Sequence, residues 1–109
     1  APELVVEIAA SSATRDLRDK LRAYRRNGVQ EYVVWQVYDQ RLDWFELRDQ
    51  NYEPLLPDAD GISRSRVFPG LWLNVQALLA DDRAALLAAI QQGMASPDHA
   101  AFVARLTQP

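Results

Sequence analysis

Glu7 is the residue whose setting most suggests chemistry, because it is the one carboxylate inside the otherwise apolar run Leu4-Val5-Val6-Glu7-Ile8. A carboxylate among apolar neighbours is costly unless it is paired with a cation or bound to a metal. The plainer alternative is an acid at a strand end that meets water or an arginine. Alternate strand residues share a face, so Glu3, Val5 and Glu7 point one way and Leu4, Val6 and Ile8 the other, the second set being the expected core face. Glu3 and Glu7 lie roughly 13 Å apart along an extended strand, too far to share a Mg²⁺ ion whose oxygen ligands sit at about 2.1 Å. A second acid for Glu7 must come from elsewhere in the fold.

The next chemical concentration is cationic. Half of the twelve basic residues fall between Arg15 and Arg26. At about 100° per residue, Leu17, Leu21 and Tyr24 form a narrow apolar stripe, while Arg15, Arg18, Arg22, Arg25 and Arg26 form a basic arc. Lys20 lies beside Tyr24 on the opposite edge of the stripe and can lean toward a sheet. The arc, with Arg15, Arg18 and Arg22 at its centre, could hold a phosphate backbone; a solvated basic face is the plainer reading. Asp16 with Lys20 and Asp19 with Arg22 also stand at helical pair spacing, which contributes only a few tenths of a kcal/mol each.

These residues need elements to position them. Leu4 to Ile8 reads as a strand, and the small residues from Ala9 to Thr14 lead into a helix over 15–26, with Ser12 or Thr14 as N-cap and Asn27-Gly28 as a left-handed stop. Tyr32 to Tyr38 and Leu42 to Leu47 predict a hairpin, and Asn51 to Leu55 a third strand placed at an edge by Pro54. Pro57 to Gly61 reads as a turn. It has two acids and a glycine in common with a calcium loop, but Ile62 and the lack of a closing glutamate break that pattern. Ser65 to Phe68 predicts a short strand, and Pro69-Gly70 a break. Two helices follow: about 81–92, stopped by Gly93 and apolar through Leu86, Leu87 and Ile90, and one capped by Ser96 with Pro97 first. His99, the single histidine, falls at that second start, where capping or solvent exposure is expected rather than catalysis. Trp35 and Trp44 on adjacent strands predict a packed sheet face rather than a base-stacking platform.

Composition limits the rest. With 109 residues, 49% of them hydrophobic, the chain predicts one folded domain, residues 1–75 forming a sheet-and-helix core and 76–109 the C-terminal helices. It has no cysteine, which excludes thiolate chemistry and suggests the cytoplasm. No apolar run is long enough for a membrane span. A net charge of −3 argues against a surface that grips nucleic acid all over. The chain opens at Ala1 directly into a strand, which predicts a piece of a longer protein whose uncovered apolar surface would favour a dimer.

Pro2-Glu3-Leu4-Val5-Val6-Glu7-Ile8, Arg15-Asp16-Leu17, Lys20-Leu21, Tyr24, Gly28-Val29 and Glu31-Tyr32 follow one order and spacing, and in that order the chain resembles the Uma2 family. Phe68 to Leu73 and Ser96 to His99 are similar to its longer members. Glu3, Ala10 and Ser11 depart from the Asp, Ser and Pro usual there. The resemblance implies an α/β (mixed α+β) restriction-endonuclease-like fold of the PD-(D/E)XK type, its N-terminal portion absent here. It implies a metal-dependent endonuclease acting on DNA with Mg²⁺ or Mn²⁺, in which Glu7 is the metal-holding catalytic glutamate and Lys20 the catalytic lysine, with Ala9 at the usual strand-lysine position. Without the family's N-terminal half, and its further metal-binding acid, the chain is expected to be a poor catalyst. A non-catalytic nucleic-acid-binding or homodimerising domain of the same fold is the alternative.

Overall fold

The computed structural model describes residues 1–10 and 14–108, and no side chain of residues 14–16. Both N-cap candidates, Ser12 and the Thr14 side chain, therefore lie outside what is described, as does the Arg15 side chain. The chain divides into two compact units, Ala1–Leu56 and Pro57–Pro109.

In the first unit, β1 (Leu4–Ala9) is followed by α1 (Thr14–Arg26), β2 (Glu31–Gln36), β3 (Arg41–Arg48) and β4 (Asn51–Pro54). The sheet order is β1-β2-β3-β4, with β1 parallel to β2 and the other two pairings antiparallel. Parallel neighbours cannot be joined by a tight turn, so α1 serves as the crossover. Its end is set by Gly28, at φ 72, with Gly28 N donating to Arg25 O and Val29 N to Tyr24 O, both at 3.1 Å. The β3–β4 hairpin turns through Asp49 and Gln50, both at positive φ, the backbone that a two-residue turn of matching twist demands. Pro54 is on the edge strand as expected.

Tyr24 of α1 packs over the sheet on an aromatic row, with ring centroids 5.1 Å apart for Tyr24–Tyr32, 6.2 Å for Tyr32–Phe45 and 6.4 Å for Phe45–Tyr52. The Tyr52 hydroxyl donates to Val29 O at 2.8 Å and ties the edge strand back to the loop after α1. The expected core face of β1 is corrected here: Val6 and Ile8 are 56% and 65% exposed, while Val5 and Glu7 are half-buried. The reason is the position of the helix. Side chains of α1 reach Glu7, so α1 covers the Val5–Glu7 face, and among the described residues β1 is paired along one edge only. Trp44 is buried as predicted, and its indole donates to the fully buried Glu31 at 3.2 Å.

The second unit holds a two-stranded antiparallel sheet of β5 (Ile62–Arg64) and β6 (Trp72–Asn74), then α2 (Val75–Leu79), α3 (Arg83–Met94) and α4 (Pro97–Leu106). The Pro57–Gly61 turn is present, with Asp58 Oδ1 accepting from the backbone of Asp60 and Ile62 at 2.8 and 3.0 Å. The strand expected over Ser65–Phe68 lies earlier, at Ile62–Arg64. Ser65 instead caps a bend, its Oγ accepting from Phe68 N at 3.0 Å. Gly93 does not stop α3 but lies buried inside it, where a Cβ would collide with the Gly70 carbonyl and the Trp72 indole. Close approach, not conformational freedom, is what this glycine supplies. Leu87, expected on the apolar side of α3, is 53% exposed, and Ala89 and Gly93 take the buried positions. The α4 start matches expectation, Ser96 Oγ accepting from His99 N at 3.2 Å. The His99 ring is half-buried against Gly70, with Nδ1 3.1 Å from Pro69 O. No described helix is long and apolar enough to cross a membrane.

The whole is a mixed α+β architecture with a four-stranded mixed sheet and a C-terminal run of helices, consistent with the restriction-endonuclease-like fold that the resemblance implies.

Candidate functional site

Strand alternation and the helical repeat together build the site. Glu7 is the fourth residue of β1 and projects on the face under α1; Lys20 and Tyr24 are one helical turn apart on that helix and meet it from above. The Lys20 ammonium is 3.2 Å from Glu7 Oε2, and the Tyr24 hydroxyl donates to Glu7 Oε1 at 2.5 Å. The Glu7 side chain is 23% exposed and that of Lys20 40%, so the pair is sheltered but reachable from solvent. The Tyr24 hydroxyl holds the Glu7 carboxyl below its usual 4.5; partial burial opposes this, and the Lys20 hydrogen bond and charge add to the lowering. Glu7 is thus an ionised carboxylate at neutral pH, oriented through both oxygens.

Arg18 and Arg22 are exposed on α1 and do not converge on this pair. Arg18 and Lys20 stand ~160° apart around the helix. Arg18 instead lines a separate cavity of about 400 Å³ between α1 and the sheet, with Leu17, Tyr32, Val34, Arg41 and Asp43. Glu7 and Lys20 are not among its walls.

Two residues escaped the sequence reading. Tyr24 was legible as part of the apolar stripe, and its place beside Lys20 was the available signal, but that its hydroxyl reaches Glu7 depends on the crossover packing. Asp43 shares the Glu7 face, since Glu7 pairs with Val34 and Val34 with Asp43, which sets the two acids about 10 Å apart across two strand spacings. Alternation in Arg41-Leu42-Asp43-Trp44 is the pattern that could have marked it. Asp43 is engaged by Arg41, with Nε–Oδ2 at 2.8 Å.

Among the described residues, no three His, Cys, Asp or Glu side chains converge on a metal position. Glu7 is a single-carboxylate donor. One carboxylate is within the one or two that a divalent ion bound together with substrate phosphate takes, and both Glu7 oxygens already accept hydrogen bonds.

A family model, Uma2, described as a putative restriction endonuclease, matches residues 1–76. Neither the curated proteins nor the solved structures yield a match. The matched span contains the whole first unit, including Glu7, Lys20 and Tyr24, and continues through β6, leaving α3 and α4 beyond it. With residues 1–76 of the 109 matched, the chain belongs to the Uma2 family.

Proposed function

We propose that the natural protein carrying this sequence is a divalent-metal-dependent endonuclease that hydrolyses phosphodiester bonds in DNA, with Glu7 and Lys20 in its active site. The observation that carries this reading is the Lys20 ammonium 3.2 Å from Glu7, with Tyr24 fixing the other oxygen. Glu7 would hold Mg²⁺ or Mn²⁺, which when bound supplies Lewis-acid stabilisation of charge on the phosphate. Lys20 is a fixed, partly exposed cation beside that carboxylate; it donates hydrogen bonds to a non-bridging oxygen as charge develops there. Tyr24 is a positioning residue that keeps Glu7 ionised and aimed. Hydrolysis forms one P–O bond to water and breaks the P–O bond to the departing sugar oxygen, which takes up a proton.

The test is nicking of supercoiled plasmid with Mg²⁺ or Mn²⁺ by the unsubstituted protein, Glu7→Gln and Lys20→Met. Metal-dependent nicking that falls on the order of 100-fold or more in each variant, with far-UV circular dichroism unchanged, is the expected result. A second reading, a non-catalytic nucleic-acid-binding domain in which the cluster only braces β1 against α1, is favoured by one observation: both Glu7 oxygens already have donors. Folded protein that binds DNA and never cuts it would establish that reading instead.

A further inference from the structure

The second unit contains a cationic cleft whose walls do not include Glu7. It has a volume of about 360 Å³, within the range of small-ligand sites, and its walls include Arg64, Arg66, Arg105, Trp72, Gly70 and Asp98. Three arginines and one aspartate line it, with Asp58 pairing one of those arginines from outside the lining, while the whole chain carries −3.

Arg64 is held in place rather than left to wander. The Asp58 carboxylate is fixed by the backbone N–H groups of Asp60 and Ile62, and its other oxygen lies 3.0 Å from Arg64 Nη2. The Arg64 guanidinium also stacks over Trp72, 3.9 Å from the ring centroid. Trp72 in turn is backed by Gly93, where a Cβ would strike the indole. A guanidinium carries five N–H donors, and Asp58 engages only part of that fork. Pre-orientation of this kind lowers the ordering cost of binding an anion.

We propose that this cleft binds a phosphate group, either free or as a phosphodiester in a nucleic-acid strand. Phosphate is favoured over carboxylate because three arginines line one cleft, which suits a tetrahedral anion with more than one charge and many acceptor oxygens. Asp98 sits in the first turn of α4, where it favours the helix dipole, and it opposes an incoming anion. The inference goes beyond the proposed nuclease site, and its test reads binding and not cleavage, so either can fail alone.

The experiment is a titration of the isotopically labelled full chain, following Arg Nε–H and Trp Nε1–H resonances, first with inorganic phosphate and then with a single-stranded oligonucleotide. Shifts at Arg64, Arg66, Arg105 and Trp72 are expected, with Arg66→Gln and Arg105→Gln each weakening binding about tenfold. Asp98→Asn is expected to tighten it about twofold or more, since one opposing charge near the surface is removed. Saturation by oligonucleotide well below the phosphate concentration identifies the diester as the source; saturation by phosphate alone identifies the free anion. Shifts that leave these four residues unmoved, or the same shifts produced by an acidic peptide and by neither phosphate ligand, would overturn the proposal.

Discussion

At the scale of single residues, the chemistry of Glu7 is set by its partners more than by its own strand. Its lowered proton affinity arises first from Tyr24, so Tyr24→Phe isolates that contribution while keeping the ring contact with Tyr32. Because the folded value lies below the unfolded one, ionised Glu7 adds stability above about pH 4.5, and this is lost as pH falls through the folded value. Urea unfolding at pH 7 should show Tyr24→Phe less stable by roughly 1.5–3 kcal/mol, the usual net worth of a hydrogen bond to a charged group. The gap should narrow at a pH below the folded value, where the protonated carboxyl no longer rewards the donor in the same way. A gap of equal size at both pH values would mean that packing, not the hydroxyl, carries the effect.

At the scale of elements, the two structurally informative glycines do different work and should respond differently. Gly28 ends α1 in the left-handed region with open space where a Cβ would stand, so Gly28→Ala meets only the backbone preference, about 1 kcal/mol. Gly93 lies in a regular helix turn, but an added Cβ meets a carbonyl and an indole. Gly93→Ala should therefore cost more, roughly 1–3 kcal/mol, as overpacking does. Thermal melts of the two variants check the order, and Gly93→Ala as the milder change would refute the close-approach argument. The edge strand adds a parallel contrast. Ile8→Thr on the exposed face of β1 should stay within about 0.5 kcal/mol of the parent. Val34→Ala, 5% exposed beneath α1, should cost about 2 kcal/mol.

At the scale of the whole molecule, an acidic chain can meet nucleic acid only through local cationic surfaces. The exposed Arg18 and Arg22 on α1 are one such surface. If they touch phosphates, binding should weaken steeply with salt, and each Arg→Gln change should flatten the log–log salt slope by about one unit. Fluorescence anisotropy with labelled duplex DNA between low and physiological salt measures that slope; an unchanged slope assigns them to a solvated face. Much of the architecture was legible beforehand because it follows from local rules. Examples are the α1 helix with its Asn27-Gly28 stop, the hairpin of β2 and β3, the edge placement of Pro54, and the Ser96 cap. The nearness of Glu7 and Lys20 was suggested only by the family resemblance, since alternation had placed the core on the opposite face of β1. The sequence by itself thus determined most of the elements and their limits, but not every buried face. Only the tertiary structure decided which side of β1 the helix would cover, that Tyr24 would complete the site, and that Gly93 would sit within a helix. Those outcomes depend on which surfaces meet, and local preference carries no information about contacts between residues distant in the chain.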